Sequence, residues 1–525
     1  MRKIGWALVL ALAGPAQAAS YDVVEKDIAT LQADMAAGRI DAAGLVQVYE
    51  DRIRTVDAQL HSVIALNPDA MAAAQALDAE RKAGHVRGPL HGIPILVKDN
   101  IETLDPMPTT AGSLALANNI THRDAPVVAR LRAAGAIILG KTNLSEWANI
   151  RSTHSISGWS AIGGWTRNPY VLDRSTCGSS AGSGAAVAAS LAAAALGTET
   201  NGSLVCPGSF NGIVSIKPTV GLVSRTHIVP ISHSQDTAGP MTRDVADAAV
   251  LLAAMAGTDP EDPITSEADA RRTDYATLNA ASLRGKRLGV IVPPPDQFNP
   301  AVETLLEHTF SILKAQGATV VPVSDFVRPL GASDEETMVL KYELKHDMAA
   351  YLQSLPGAGP KSLADLIAFN ATTPRETVLF DQDYFEMANG AGDLTDPVYV
   401  QAHADLEAST RALLDRTLAK YQLDALIRAT NDPSFRVDVV HTDNDGPSAS
   451  FLPATSGYPH LTVPMGTIDG LPVGLSFIGP AWSEARLLSL GAAFERAAAA
   501  RRPPSYLPSL EATPDMAAAL APLAH

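Results

Sequence analysis

The sequence predicts an α/β protein, in which short buried strands alternate with helices. Residues 93–97 form a short apolar run that ends at Lys98, a pattern typical of a buried strand with a charged residue at its carboxyl end. Further along, a strand over 288–292, a helix that starts at Asn299 and a strand over 318–323 follow one another. This strand, helix and strand order is typical of βαβ units.

The remaining elements extend this pattern along the chain. Residues 20–86 are rich in Ala and Leu at helical spacing and predict packed helices. Further patterns predict a helix over 124–134, strands over 136–139, 423–427, 460–463 and 473–478, and a last amphipathic helix that carries Leu487, Leu490 and Phe494. Because the composition does not change along the chain, we expect one large unit, with 258–300 as a possible boundary between lobes.

Composition excludes some classes of protein. The chain has 525 residues, of which 46% are hydrophobic and 18% charged, so it can bury a large core. Its formal net charge of -16 argues against binding a phosphate backbone or an anionic membrane surface. We therefore expect no nucleic-acid partner.

The first eighteen residues have the features of an export signal. Arg2 and Lys3 precede an apolar run of about ten residues, and the A-x-A site at 16–18 follows Pro15. The run is too short to span a bilayer, which takes roughly 20 residues. We expect cleavage after Ala18 and a periplasmic or secreted protein of residues 19–525 with no membrane anchor.

Residues 135–142 match the P-loop expression, from Gly135 to Lys141 and Thr142. A phosphate loop needs a strand before its first glycine and a free backbone after it. Here a helix precedes Gly135, and the four residues that follow are apolar and read as a strand. We therefore interpret the match as a helix stop followed by a buried strand.

Residues 178–182 fit the G-x-S-x-G nucleophile elbow of α/β-hydrolases, with Ser180 as the nucleophile. That motif requires a hydrophobic strand that runs straight into the turn, whereas 168–176 is polar and rich in turn residues. An esterase of this type is therefore a weaker alternative. We expect a helix to begin at 182–186, and a nearly all-apolar helix over 185–196.

Two Gly-Ser loops and a lysine at a strand end form a third candidate site. Residues 177–183 and 197–203 are the loops, and Lys98 opens the run Lys98-Asp99-Asn100. With the stretches at 212–225, 236–241 and 453–466, these motifs resemble the amidase signature family in order and spacing. The resemblance covers most of the chain. It implies a single large mixed β-sheet covered by helices on both sides.

The resemblance implies a Ser-cisSer-Lys triad, with Ser203 as nucleophile, Ser179 as the bridging serine and Lys98 as base. It places the oxyanion hole at the backbone amides of Thr200, Asn201, Gly202 and Ser203, and gives Ser180 and Glu199 supporting positions. Asn201 and Ala181 stand where many members have glycine. Because Asn tolerates left-handed conformations, we expect the backbone bend to be kept at Asn201.

The two cysteines, Cys177 and Cys206, flank these serines in sequence. If the serines touch, the cysteines are neighbours and can bridge in an exported protein, or remain two buried thiols; we favour the thiols. The histidines form no recognised metal motif, so we expect neither metal nor cofactor.

Within the family, the runs at 197–207 and 231–241 and the leader look most like bacterial peptide amidases, which release ammonia from C-terminally amidated peptides. Aryl acylamidases and other broad amidases stay open. The aminoacyl-tRNA amidotransferase subunit looks similar, but the leader and the acidity oppose it. We expect a peptide or small-molecule amide substrate, and a monomer or homodimer. A non-catalytic exported binding protein is the alternative outside enzymes.

We expect substrate selection to lie in the divergent stretch 325–450. Four side chains there, Phe380, Tyr384, Phe385 and Met387, are candidates to line an apolar pocket, although such a stripe is more often core.

Overall fold

An eleven-stranded mixed sheet organises the chain. The computed structural model describes residues 21–522 except 274, 276, 277, 279, 280, 292–298 and 445, so the predicted leader lies outside the described residues. The strands are β1 (Val63–Leu66), β2 (Pro94–Lys98), β3 (Ile137–Thr142), β4 (Trp159–Ser160), β5 (Gly164–Trp165), β6 (Ala194–Glu199), β7 (Val214–Lys217), β8 (Thr237–Thr242), β9 (Arg287–Ile291), β10 (Thr319–Val323), β11 (Ala425–Ala429), β12 (His460–Ile468) and β13 (Leu471–Ile478).

The strand order in the sheet is β1-β3-β2-β6-β8-β7-β12-β13-β11-β9-β10, and β4 pairs with β5 in a separate ribbon. Strands β3, β2 and β6 run parallel to one another, as do β11, β9 and β10, whereas the pairs between them are antiparallel. The predicted α/β class with a mixed sheet is confirmed. Because the sheet runs without a break from β1 to β10, the strands before and after 258–300 share it.

The helices pack around this sheet. They are α1 (Ile28–Ala36), α2 (Ala42–Val56), α3 (Ala70–Lys82), α4 (Pro126–Ala133), α5 (Ala181–Ala188), α6 (Val205–Phe210), α7 (Val245–Met255), α8 (Ala268–Arg271), α9 (Pro300–Ala315), α10 (Ala332–Ser354), α11 (Leu363–Thr372), α12 (Pro374–Thr377), α13 (Asp383–Asn389), α14 (Pro397–Tyr421), α15 (Phe451–Ser456), α16 (Glu484–Ala498) and α17 (Pro514–Leu520). Within the described ranges, none is long and apolar enough to cross a membrane.

Local signals explain where several elements begin and end. Helix α9 starts at Pro300, and the Asn299 side chain caps it by accepting a hydrogen bond from the amide of Ala301. It ends just before Gly317, which has a φ of 87°. In the P-loop match at 135–142, Gly135 follows the end of helix α4, and residues 137–142 are strand β3. The interpretation of that match as a buried strand is confirmed.

One predicted helix was too long, and the stretch predicted as packed helices contains a strand as well as helices α1 to α3. The helix expected over 185–196 is α5, which ends at Ala188, and 194–199 is strand β6. Alanine favours helix, but here the segment pairs with β2 on one side and β8 on the other, and this tertiary pairing overrides propensity. The stretch 20–86 also contains β1, which pairs with β3 and forms one edge of the sheet.

The parallel arrangement of β2 and β6 places the site. Ile95 is opposite Ala194 and Val97 is opposite Leu196, so Lys98 and the end of β6 lie at the same edge of the sheet. Every residue of both strands is buried. The carboxyl ends of parallel strands are where α/β proteins bind ligands.

Candidate active site

Lys98 is the last residue of β2 and has no solvent exposure. Its Nζ atom lies 2.7 Å from Ser179 Oγ and 2.8 Å from Thr198 Oγ1. The side chain of Asn100 donates a further hydrogen bond, 3.0 Å long, to the same Thr198 hydroxyl. The lysine therefore ends among hydroxyl groups, one of which belongs to the predicted bridging serine.

Burial lowers the pKa of Lys98 to about 7, although the charges of Asp236 and Glu199 act in the opposite direction. Removing an ammonium group from water disfavours its charged form, and no carboxylate forms an ion pair with it at hydrogen-bond distance in the described part of the chain. A lysine in this state holds an available lone pair near neutral pH, as a general base requires.

Ser179 lies in the first of the two Gly-Ser loops, next to the residue that joins it to the second. It is fully buried, and the peptide bond between Gly178 and Ser179 is cis, as the family resemblance implied. The carbonyl of Ser179 accepts a hydrogen bond from the amide of Ser145. The next residue, Ser180, donates its amide to the carbonyl of Ser203 at 3.2 Å, so the two predicted serine loops meet in space.

The Ser180 hydroxyl acts on the backbone of β6. It donates to the carbonyl of Thr198 at 3.0 Å and accepts from the amide of Thr198 at 3.2 Å. No strand leads directly into Ser180, because 175–180 is a loop and helix α5 begins at Ala181. This environment differs from that of a nucleophile elbow and fits the predicted supporting position.

The turn at 200–203 follows β6 and is fixed by carboxylates. Glu199 accepts the amides of Leu204 at 2.8 Å and Val205 at 3.1 Å, at the start of α6. The Thr200 hydroxyl donates to Asp236 at 2.5 Å, and Asp236 also accepts the amides of Ile231 and Ser232. Both carboxyl groups are buried, which raises the pKa of Glu199 and raises that of Asp236 to about 6.

The backbone bend lies at a different residue from the one expected. Gly202 has a φ of 88°, whereas Asn201 is not in the left-handed region. The prediction that Asn201 carries the bend was therefore wrong. Glycine adopts positive φ without steric cost, so the turn closes at Gly202.

A cavity of about 920 Å³ opens on this turn. Ser203 lines it together with Thr200, Asn201 and Gly202. Ser179 and Lys98 do not line the cavity and lie behind the turn, within the core. The cavity therefore reaches the predicted nucleophile but not the predicted base.

Segment 325–450 supplies much of the cavity wall. Its contributions are Phe326, Val327, Arg328, Leu340, Leu414, Arg428, Asn431, Gly446, Pro447, Ser448, Ala449 and Ser450. The four aromatic and Met candidates at 380–387 are absent from the lining. Phe380 packs edge-on against Trp159, and Phe385 packs against Trp147. Tyr384 is buried in the same cluster as Phe385, and Met387 is exposed. They belong to the core or the surface, as such a stripe more often does.

Sequence reasoning missed two residues that the structure brings to the site. Thr198 contacts Lys98 directly, and Asp236 holds both Thr200 and the loop at 231–232. Both fall inside motifs that were noticed, but a motif does not say which side chains face the lysine. The parallel pairing of β2 with β6 is the signal that would have identified Thr198.

Cys177 and Cys206 form a disulfide. The prediction that favoured two free thiols was wrong, because the loop at 177–183 and helix α6 bring Cys177 and Cys206 together beside Phe210. Both cysteines line the cavity wall next to the turn. The bond therefore ties the loop of Ser179 to the helix that follows Ser203.

Among the described residues, two clusters have His and carboxylate atoms close enough to hold a metal ion, and neither includes a predicted site residue. They are His154, Asp381 and Asp383, and His233, Glu343 and Asp347.

Comparison with known proteins assigns the family. The Amidase family model matches residues 44–488. The X-ray structure of peptide amidase from Stenotrophomonas maltophilia is 49% identical, with a TM-score of 0.86, over 92% of this chain and 99% of that one. A probable amidase of Arabidopsis thaliana is 36% identical over 519 residues, which cover 95% of this chain and 96% of the relative.

A glutamyl-tRNA(Gln) amidotransferase subunit from Acidothermus cellulolyticus is 35% identical over 499 residues, 91% of this chain and 95% of its own. These matches confirm the resemblance drawn from the motifs. The chain belongs to the amidase family, and it is a hydrolase of amide C–N bonds.

We expect the disulfide to stabilise the protein measurably. The cysteines are 29 residues apart, and closing a loop of this length in the unfolded chain is worth about 3 to 4 kcal/mol in the chain-entropy model. Replacing both cysteines by alanine should therefore lower the free energy of unfolding in urea by an amount of this order.

The control compares the effect of a reductant on the wild type and on the double alanine variant. Because Cys177 and Cys206 are its only cysteines, a reductant should destabilise the wild type and leave the double alanine variant unchanged. Equal urea midpoints for oxidised and reduced wild type would contradict the stabilising role.

Proposed function

We propose that the protein hydrolyses amides through an acyl-enzyme, with Ser203 as nucleophile, Ser179 as proton relay and Lys98 as base. The observation that carries this proposal is the 2.7 Å contact between Lys98 Nζ and Ser179 Oγ, buried directly behind a turn whose Ser203 faces the cavity. An amide is a poor electrophile with a poor leaving group, so its hydrolysis needs an activated nucleophile and a proton donor.

The arrangement supplies both proton transfers. Neutral Lys98 takes the hydroxyl proton of Ser179, which takes the proton of Ser203 as Ser203 Oγ bonds to the carbonyl carbon. The carbonyl oxygen becomes an oxyanion that the amides at 200–203 stabilise, at about 3 kcal/mol per donor. Protonated Lys98 returns the proton through Ser179 to the leaving nitrogen, and the C–N bond breaks.

Water completes the cycle by the same relay. It gives one proton through Ser179 to Lys98 as its oxygen bonds to the ester carbon of the acyl-enzyme. The second tetrahedral intermediate collapses, the proton returns to Ser203 Oγ, and the carboxylic acid leaves. Each proton that Lys98 accepts is returned, so the enzyme ends unchanged.

We further propose C-terminally amidated peptides as the substrates, with ammonia as the released amine. The 49% identity to a peptide amidase over 92% of the chain supports this class. The cavity supports it as well, because it is large enough for several residues and has apolar walls beside the turn, including Ile231, Leu340 and Phe451. Apolar walls suit aryl and aliphatic amides too, which makes a broad acylamidase the competing outcome.

Export of the protein is part of this proposal. The leader pattern at 1–18 and the Cys177–Cys206 disulfide both support an oxidising compartment, where structural disulfides persist. Peptides are available there and aminoacyl-tRNA is not, which disfavours an amidotransferase role.

The pH dependence of the rate should report Lys98. Its neutral form is the working base, so kcat/KM should rise through a single ionisation near pH 7 and level off above it. Lys98→Ala should lose this rise and at least about 10³-fold in rate, in keeping with removal of a member of a catalytic triad.

Lys314→Ala provides the matched control, because Lys314 is an exposed lysine on α9, and it should keep the wild-type profile. A rise in rate near neutral pH that persists in Lys98→Ala would contradict the assignment and point to another base.

Purified protein without added metal or nucleotide should release ammonia from a short peptide amide and leave internal peptide bonds intact. Mass spectrometry should show a gain of one mass unit and no fragments. A site at the inner end of a cavity accepts a chain terminus more readily than a chain middle. Turnover of aryl anilides alone would leave the amidase assignment in place and contradict the peptide-amide specificity.

A further inference from the structure

The side chain of Asn201 is held at both ends. Its Nδ2 donates to Glu336 Oε1 at 2.7 Å, and its Oδ1 accepts a hydrogen bond from Ser450 Oγ at 2.6 Å. The two partners are 135 and 249 residues away along the chain. An amide group fixed at both its oxygen and its nitrogen has little freedom to rotate, and it restrains the backbone to which it is attached.

A second link joins Glu336 to the turn through the side chain of Gln235. Glu336 Oε1 also accepts from Gln235 Nε2 at 3.0 Å, and the same Nε2 lies 3.4 Å from the carbonyl of Thr200. The carboxylate on α10 is therefore linked to two successive residues of the turn, Thr200 through Gln235 and Asn201 directly.

The partners of Asn201 belong to the walls of the cavity. Helix α10 carries Glu336 and contributes Leu340 to the lining, and Ser450 is followed by Phe451 and Leu452, which also line it. The Asn201 side chain therefore joins the turn to two parts of the cavity wall that are distant from it in sequence, α10 and the segment at 450–452.

The turn needs restraint by side chains outside Gly202. Gly202 sits at a φ of 88° and offers no side chain to fix the peptide planes beside it. An oxyanion site acts only when its amides are held in place before reaction, and a shift of a fraction of an ångström weakens it.

We propose that Asn201, Glu336 and Ser450 form a clamp that positions the oxyanion turn, with Asn201 and Glu336 as positioning residues for acyl transfer. The inference rests on the proposed function, because it assumes that the amides at 200–203 receive the oxyanion. Asn201 stands where the family resemblance places glycine in many members. A side chain at this position fixes the turn by hydrogen bonds, which a glycine could not make.

The test is the Glu336→Ala variant assayed with a peptide amide. We expect kcat to fall at least about tenfold with KM within about twofold, since displaced oxyanion donors weaken the transition state more than the bound substrate. Glu336→Gln, whose amide oxygen can still accept from Asn201, should recover most of the activity. The matched control is Glu335→Ala, which removes the same charge one residue earlier on α10 and has no hydrogen bond to Asn201 or Gln235 among those described.

Two inhibitors separate positioning from a general structural effect. A peptide aldehyde adds to the nucleophile and places an oxygen in the oxyanion site, whereas the matching peptide alcohol carries no carbonyl. In Glu336→Ala the affinity for the aldehyde should fall by the same factor as kcat/KM, and the affinity for the alcohol should stay unchanged. The double variant Asn201→Ala/Glu336→Ala should lose nearly the same kcat/KM as the more damaging of the two single variants, to within about twofold, because both changes remove the same contact.

The outcomes distinguish failure of the clamp from failure of the proposed function. Wild-type kcat in Glu336→Ala, or an equal loss of affinity for aldehyde and alcohol, would overturn the clamp alone. An aldehyde that binds wild type no better than the alcohol would contradict the oxyanion assignment itself. If Glu336→Ala does not fold, the same comparison with Ser450→Ala, which removes one hydroxyl from the clamp, decides.

Discussion

The burial of Lys98 is the constraint on which the site depends. An ammonium group at the end of an interior strand of the sheet, with no exposure, is costly to keep charged, and its pKa accordingly falls to about 7. The fold compensates with hydroxyl groups in place of an ion-pair partner, so that Ser179 and Thr198 meet the nitrogen. A direct carboxylate partner would hold the proton on the lysine and remove its capacity to act as a base.

The carboxylates of the site accept hydrogen bonds from backbone amides and do not pair with Lys98. Glu199 and Asp236 accept amide and hydroxyl donors of the turn and its neighbours, and both are buried, with raised pKa values. They influence Lys98 only through longer-range attraction, which raises its pKa less than burial lowers it. The disulfide beside the turn acts on the same two loops covalently. In the proposed mechanism, proton transfer and backbone support are therefore carried by different groups, all of them buried.

Local sequence patterns predicted the helices and strands that are determined by their own residues and immediate neighbours. The strand that ends at Lys98, the capped helix at Asn299 and the strand hidden in the P-loop match all follow from neighbouring residues. Family motifs brought Lys98, Ser179 and Ser203 into consideration. The structure places Lys98 against Ser179, and the loop of Ser179 meets the loop of Ser203 through the amide of Ser180. What the sequence did not predict depends on pairing between distant segments. The alanine run at 194–199 is a strand because β2 and β8 flank it, and the cysteines bridge because the loop at 177–183 meets helix α6. The hydrogen bonds of Asn201 to Glu336 and Ser450 were not predicted for the same reason, because both partners come from distant segments with no recognisable motif.

The identity of the nucleophile is the central claim, and covalent labelling tests it most directly. Wild-type protein treated with a fluorophosphonate probe, digested and analysed by mass spectrometry, should carry the adduct on Ser203. Labelling should disappear in Ser203→Ala together with amide hydrolysis, and it should persist in Ser180→Ala, whose hydroxyl faces the backbone of β6. An adduct on Ser180, or hydrolysis that survives in Ser203→Ala, would contradict the account.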